Sequence, residues 1–216
     1  MSSPLTSSLT PPAQPPARKP RSLFTLWLLL AMSAAPIVAA FFLFYVVHPS
    51  GKPPYGALVE PQRPIPLDLS LKTLDGKPYS LRRLEGYWLM VMAAPGACDK
   101  QCQQSLFYMR QIRIAQGDNR DQIVRVWLVT DDAPINPGVA EPAEGTLILR
   151  GHQKQLAAWL PNEAGQLQGP TWLVDPFGHL MMQFPANPDP TKIRRVLAKL
   201  LYNNAGIKFK HVESVQ

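Results

Sequence analysis

The sequence predicts an α/β protein: a sandwich built on a central mixed sheet and tethered by one N-terminal transmembrane helix. Residues 22–47 contain no charged side chain, which indicates the helix. Beyond them, apolar runs typical of buried strands alternate with segments of helical spacing, which indicates the α/β class. The 216 residues include only two cysteines, so a hydrophobic core, and not a set of disulfides, must stabilise the fold.

The apolar run SLFTLWLLLAMSAAPIVAAFFLFYVV, residues 22–47, is long enough to cross a membrane. As a helix it would measure roughly 39 Å, against a hydrocarbon core of about 30 Å. A signal peptide is the alternative, but its apolar part usually spans about 7 to 15 residues. Here FFLFYVV continues past the small residues at 38–40. We therefore expect an uncleaved, single-pass anchor.

The charges beside this run predict its orientation. Arg18, Lys19 and Arg21 precede it, whereas only His48 and Lys52 follow it closely. The positive-inside rule then places the N-terminus in the cytoplasm and the C-terminal domain in the periplasm, on the outer side of the inner membrane. Disulfides persist in such a compartment. The remaining positive charge is scattered along the chain, so we expect the membrane, and no nucleic acid, as a partner.

The composition divides the chain into five segments. Residues 1–21, rich in Pro and Ser, are expected to form a disordered cytoplasmic tail. The anchor at 22–47 is followed by a Pro-rich linker at 48–63, which we expect to act as a semi-rigid spacer. The folded domain is expected at 64–205, before a polar tail at 206–216.

The domain reads as an ordered series of strands and helices. An extended pair with a turn at Asp75 and Gly76 comes first, and Asp189 is a plausible N-cap for the last helix, which should stop near Gly206. The segments between them are, in chain order, strand YWLMVMAAP, helix QQSLFYMRQIRIA, strand IVRVWLVTDD, strand TLILRG, helix HQKQLAAWLPN, strand GPTWLVD, strand LMMQFP and helix DPTKIRRVLAKLLYNN. This order is the layout of a thioredoxin-like sandwich.

Both cysteines, Cys98 and Cys102, lie in AAPGACDKQCQQ, directly after the first central strand. In the first turn of a helix, residues four apart share a face, so both sulfurs can meet, with a Cα separation in the upper part of the range that disulfides tolerate, about 4.4 to 6.8 Å. The helix N-terminus stabilises the thiolate that redox exchange and soft-metal binding both need. Two buried cysteines, or an inert bridge, are the structural alternative.

The segment IPLDLSLKTLDGKPYSLRRLEGYWLMVMAAPGACDKQC resembles the opening of the Sco/SenC family. VWLVTDDAPINP is similar to the strand and acidic loop that follow the family's active-site helix, and TWLVDPFGHLMMQF to its Asp-Pro-x-Gly turn and return strand. The resemblance spans residues 64–201. It implies a membrane-tethered thioredoxin fold that assists copper insertion into cytochrome c oxidase, with two cysteines and one distant histidine that hold copper.

The sequence departs from this family at three places. Gln103 stands where the family commonly has a proline, and the region from Leu167 to Thr171, where the copper histidine is expected, contains no histidine. There GPTWLVD instead resembles the Gly-Pro-Thr of thioredoxins, whose proline is cis and lies against the cysteine pair. This resemblance makes Pro170 a candidate redox-site residue, with an ordinary structural proline as the alternative.

The candidate catalytic residues are therefore Cys98 as the usually more exposed nucleophile, Cys102 as the resolving thiol, and Pro170. The candidate metal ligands are Cys98, Cys102 and His179, with His152, His48 and His211 in weaker positions. Thiolates favour Cu(I), so copper is a possible ligand, but the sequence does not support it as an obligatory cofactor.

Three functions remain open at this stage. The first is thiol-disulfide exchange in cytochrome c oxidase assembly, acting on cysteines of oxidase subunits or of copper-carrier proteins. The second is a copper metallochaperone that binds the metal through the CxxxC pair. The third is a non-catalytic module that docks on an assembly complex. The resemblance supports the common setting of all three, a divergent Sco/SenC-like protein at the membrane.

Overall fold

The computed structural model describes residues 23–42, 45 and 55–204. The chain divides into two units, 1–51 and 52–216. The first contains helix α1, Leu23–Phe42, which is 20 residues long and has no buried residue. Its length and apolar composition make it a candidate membrane span, as the sequence predicts.

The second unit is built on one eight-stranded mixed sheet, which confirms the predicted fold class. The strands follow one another in space as β1-β8-β7-β4-β5-β6-β2-β3. Strands β4, β5 and β6 run parallel, and every other neighbouring pair is antiparallel. The bounds are β1 Ala57–Pro64, β2 Leu71–Thr73, β3 Pro78–Tyr79, β4 Trp88–Ala94, β5 Ile123–Val129, β6 Thr146–Gly151, β7 Thr171–Val174 and β8 His179–Phe184.

Strand β4 lies at the centre of the sheet, and all seven of its residues are buried. Successive side chains of a strand point to opposite faces. Trp88, Met90 and Met92 accordingly belong to one hydrophobic cluster, and Leu89 and Val91 to the other. Burial on both faces explains why the predicted strand reads as a continuous apolar run.

The described part of the domain also contains four α-helices: α2 Lys100–Ile114, α3 Ala140–Ala143, α4 Gln153–Trp159 and α5 Pro190–Asn203. Apolar residues of α2 and α5 join the cluster that contains Trp88, whereas Leu156 and Trp159 of α4 join the other. Helices thus cover both faces. Asp189 caps α5 as predicted, because its side chain accepts from the backbone N–H of Thr191 and Lys192. Gly206 lies outside the described residues.

The predicted linker at 48–63 is wrong over its second half, because Ala57–Pro64 forms strand β1 and pairs antiparallel with β8. The structured domain therefore begins before Pro64. The strand occupies the edge of the sheet, where proline is tolerated because one side of the backbone needs no partner. The predicted tails at 1–21 and 206–216 lie outside the described residues.

Candidate redox site

The two cysteines are joined in a disulfide at the carboxyl end of β4, with their Cα atoms 5.1 Å apart. The predicted placement of both in the first helical turn is wrong for Cys98. Helix α2 begins at Lys100, and Cys98 precedes its cap with a φ of +41°. The Cys98 N–H donates to the Pro95 carbonyl at 3.1 Å, so this residue closes a turn. The turn brings the Cα atoms closer than the predicted upper part of the disulfide range.

Asp99 fixes the start of α2 beside the disulfide. Its Oδ1 accepts from the backbone N–H of Cys102 at 2.9 Å, which is an N-cap hydrogen bond. Cys102 therefore lies in the first turn of a 15-residue helix, where free N–H groups and the helix dipole favour a negative charge. The carboxylate of Asp99 acts in the opposite sense, because a nearby like charge disfavours a thiolate.

The loop before the cysteines is held by the segment that follows β5. The Gly96 N–H donates to Asp131 Oδ1 at 2.8 Å. Asn136 bonds the loop twice, from its N–H to the Gly96 carbonyl at 3.0 Å and from Nδ2 to the Ala97 carbonyl at 3.1 Å. Arg150 in turn donates to the Asp131 carbonyl at 2.8 Å. The cysteine loop is therefore positioned by hydrogen bonds from the ends of two neighbouring strands.

On its other side the loop meets the segment before β7. Gln168 donates from Nε2 to Asp99 Oδ2 at 2.8 Å. Gly169 has a φ of +113°, and a Cβ there would lie 2.8 Å from Ala186 Cβ and 3.2 Å from Gln101 Nε2. Only glycine adopts this backbone conformation and fits against Ala186 without strain. The region where the family resemblance implies a histidine thus contacts the helix cap through a glutamine.

Pro170 lies next to Gly169, in the segment that touches the helix cap. The expected cis bond before Pro170 is wrong. In the described part of the chain, the cis peptide bond is Glu60–Pro61, and the Gly169–Pro170 bond is not cis. The left-handed backbone of Gly169 supplies the local turn instead. A catalytic role for Pro170 stays a prediction.

His179 lies at the opposite end of the sheet from the cysteines. It opens β8 beside Pro64, and β7 pairs Val174 with Leu89 at the start of β4. Ala94 follows Leu89 by five residues, so roughly 17 Å of strand separates the two ends. His179 instead lies beside Asp175, with Nδ1 3.5 Å from Oδ1. The expected set of Cys98, Cys102 and His179 is therefore not assembled.

No other described residue completes that set. His152 is exposed and precedes α4 without a cap bond. Across the part of the chain that the structure describes, no group of three His, Cys, Asp or Glu side chains could hold a metal ion. His48 and His211 lie outside that part. The donors at hand are two sulfurs that are bonded to each other, so the observed arrangement does not fit a copper site.

Both cysteines are buried, each about 1% exposed, and both belong to the cluster beneath α2 and α5. The expected greater exposure of Cys98 is therefore wrong. The turn that closes at Cys98 directs its side chain into the domain, beside Cys102. A partner thiolate can reach either sulfur only after the covering residues shift.

Asp99 and Gln103 contact the site, although the sequence did not predict them as site residues. Asp99 is the helix cap, and the position of an Asp just before a helical segment could have indicated it. Gln103 was noted only as a departure from the resembling family. In the structure its Nε2 donates to the Cys98 carbonyl at 3.0 Å, and its N–H donates to the Asp99 carbonyl at 3.0 Å. A proline would make neither bond, since it has no N–H and no amide side chain.

A sequence family described as "Transmembrane-like, thioredoxin-like, C-terminal domain" matches residues 88–203. The chain belongs to this family. The match runs from the first residue of β4 to the last of α5 and includes both cysteines. No curated protein matches the chain in sequence.

Solved structures of similar fold include Sco1 proteins. Apo Sco1 from Thermus thermophilus is 16% identical, with a TM-score of 0.53, over 68% of this chain and 96% of that one. Yeast Sco1 with copper bound is 15% identical, with a TM-score of 0.50, over 71% of this chain and 95% of that one. At these identities the similarity shows a shared thioredoxin-like fold.

Proposed function

We propose that this chain is a membrane-anchored, Sco/SenC-like protein that exchanges thiols and disulfides during cytochrome c oxidase assembly. One observation carries the proposal: Cys98 and Cys102 are bonded to each other between a central strand and the N-terminus of α2. The assembly role has less direct support, from the sequence resemblance and from the fold shared with Sco1 proteins. The partners would be cysteines of oxidase subunits or of copper-carrier proteins.

The exchange would proceed in two balanced steps. A partner thiolate attacks the sulfur of Cys98, which forms a mixed disulfide and releases Cys102 as a thiolate at the start of α2. A second partner thiolate then attacks the partner sulfur of that mixed disulfide and releases Cys98. The partner loses two electrons and becomes a disulfide, and this protein becomes a dithiol. The reverse sequence reduces a partner disulfide.

The first experiment tests this redox cycle in the full-length protein in mild detergent. The protein is equilibrated in buffers that contain reduced and oxidised dithiothreitol at a series of ratios. It is then quenched with acid, denatured and labelled with a thiol-reactive mass tag. Denaturation exposes the buried sulfurs to the label. We expect a reversible gel shift of two tags at a reproducible midpoint. A pair that stays unlabelled at every ratio would contradict the proposal.

Single substitutions distinguish the two cysteines. Cys102→Ser is expected to accumulate a mixed disulfide with a model substrate disulfide, because the Cys98 thiolate displaces one sulfur of that disulfide as a thiolate and the resolving thiol is missing. Cys98→Ser is expected to form much less of it. His179→Ala is the matched control, since this residue lies at the far end of the sheet, and its redox midpoint should equal that of the wild type. Equal trapping by both serine variants would contradict the assigned roles.

The copper alternative can be tested in the reduced protein. Thiolates favour Cu(I), so the two free cysteines are the donors to examine. Cu(I) is titrated into the protein against a chromogenic chelator. We expect His179→Ala to leave any copper affinity unchanged, because His179 is remote from the cysteines. A loss of affinity in that variant would contradict its placement away from the site.

The docking-module alternative predicts that neither cysteine matters. It is tested by the Cys98→Ser/Cys102→Ser double variant in cells that depend on this protein for oxidase activity. We expect the double variant to lose that activity while it accumulates at the wild-type level. Full activity without both cysteines would favour a non-catalytic role.

A further inference from the structure

A cleft beside α2, on the face of the sheet that α2 and α5 cover, is lined by three arginines. It measures about 260 Å³ and is bounded by Arg110, Arg113 and Ile114 of α2, Arg125 of β5, and the turn residues Glu144 and Gly145. Its lining includes neither cysteine. The proposed exchange chemistry does not use it.

Arg125 is the unusual member of this group, because it is only 3% exposed. Its Nη2 donates to the Glu144 carbonyl. Its Nε and Nη1 are buried and have no hydrogen-bond partner among the residues that the structure describes. Buried polar groups almost always have partners, and a buried charge without one carries a large cost. The side chain therefore has unused donors at the wall of a cleft.

Neighbouring groups add to this unused capacity. Thr146 pairs with Arg125 in the β5–β6 register, so both side chains lie on the same face. The Oγ1 of Thr146 is buried and also has no hydrogen-bond partner within the described part of the chain. Gly145 has a φ of +67°, and a Cβ there would lie 3.2 Å from Arg125 Nη2. Glycine thus leaves room beside the guanidinium.

The lining of the cleft carries three arginines and one carboxylate, that of Glu144. Arg110 pairs with Glu144 at 2.8 Å and with Glu141 at 3.9 Å, and Arg113 pairs with Asp121 at 3.2 Å, but all three carboxylates are largely exposed. Ion pairs with such exposed carboxylates contribute little to stability. Burial, together with the nearby Arg113 and Arg110, lowers the pKa of Arg125 to about 10, although Glu144 opposes the shift. The buried guanidinium is thus poorly compensated by the protein itself.

We propose that this arginine cleft binds a small oxyanion, a carboxylate or phosphate group. Arginine is the residue best suited to planar, charge-assisted recognition of these groups. The cleft is smaller than the pockets of about 300 to 1,000 Å³ that hold drug-sized ligands, which favours a small anion or a single anionic headgroup. A bound anion would accept hydrogen bonds from Arg125 and would displace the exposed Glu144 carboxylate from Arg110.

The test is calorimetric titration of the full-length protein, in mild detergent and at ionic strength held constant with chloride. The three probes are inorganic phosphate, glycerol 3-phosphate as a soluble lipid headgroup, and succinate. We expect saturable binding of at least one probe, and the tightest identifies the source of the anion. Arg125→Gln should weaken that binding by about tenfold or more, the usual effect of losing a charge-assisted hydrogen bond.

Lys154→Gln is the matched control, because it removes the same charge from an exposed position on α4. It should bind like the wild type. The absence of saturable binding by the wild type, or equal weakening in both variants, would overturn the proposal.

A stability measurement keeps the test independent of whether Arg125→Gln folds well. Arg125→Met replaces the buried charge with an apolar side chain of similar length, and such replacements are often neutral or stabilising. Without added anion, its Tm should equal or exceed that of the wild type. The best-binding probe should then raise the wild-type Tm but not that of the variant. Equal shifts in both would overturn the proposal.

Discussion

Gly96 packs so closely that a substitution there should disturb the cysteine loop. A Cβ at this position would lie 2.7 Å from the Ala133 carbonyl oxygen and 3.2 Å from that of Pro134. Both obstacles are backbone atoms, which cannot rotate away as a side chain can. We expect Gly96→Ala to lower the free energy of unfolding by roughly 1–3 kcal/mol, as overpacking usually does. Urea denaturation followed by tryptophan fluorescence measures this change.

The control for Gly96 is its neighbour Ala97, which is exposed in the same loop. Ala97→Ser adds an atom toward solvent, so its urea midpoint should match that of the wild type. If Gly96→Ala is as stable as Ala97→Ser, the close contact with the Ala133 segment does not position the loop.

At the scale of elements, the N-terminus of α2 tunes the chemistry of the reduced pair. Asp99 caps the helix but also places a carboxylate next to Cys98. Asn caps as well as Asp, so Asp99→Asn keeps the helix start and removes the charge. We expect the reduced variant to react with iodoacetamide roughly two- to fivefold faster at pH 7, because a nearby negative charge disfavours the thiolate.

Asp75→Asn serves as the matched control for this charge effect. Asp75 is exposed in the turn between β2 and β3, and its substitution should leave the alkylation rate unchanged. An Asp99→Asn rate no higher than that of the control would show that the cap does not influence the thiols.

The sequence predicts well those elements whose own residues form a clear apolar pattern. Strand β4 is a continuous apolar run, and β5 is one except for Arg125, because both faces of these strands are buried. Strand β1 was not predicted because Ala57–Pro64 has one buried residue and two prolines, a composition typical of a linker. This segment forms a strand because its backbone pairs with β8 at the edge of the sheet. Such partner-dependent strands leave little trace in their own sequence.

The site was less predictable than the fold, because its geometry depends on how distant elements meet. Cys98 and Cys102 follow a central strand, as the apolar run before them predicts. Placing His179 required the direction of β7, which carries the chain away from the cysteine end. Gln168 reaches Asp99 across 69 positions of the sequence, a contact that no local pattern indicates.

At the scale of the whole molecule, we propose that α1 anchors the chain with its N-terminus in the cytoplasm and its C-terminal domain in the periplasm. The basic residues that precede the apolar run support this orientation. An alkaline phosphatase fused after residue 204 should be active in a bacterial host, since it folds only outside the cytoplasm. Replacing Arg18, Lys19 and Arg21 with Gln should lower that activity. High activity of a fusion placed at residue 20 would contradict the orientation.

Reduction of the disulfide separates a redox role from a purely structural one across the entire domain. The bond joins residues four apart, so it closes a small loop, and the entropy model gives a stabilisation of only about 2 kcal/mol. Two hydrophobic clusters, one on each face of the sheet, form the core, and only one of them contains the cysteines. We therefore expect the reduced protein to stay folded, with a lower urea midpoint and an unchanged circular dichroism spectrum in buffer. The Cys98→Ser/Cys102→Ser double variant should behave like the reduced wild type. A domain that unfolds on reduction would identify the disulfide as a structural staple, because a redox protein must be folded in both of its states.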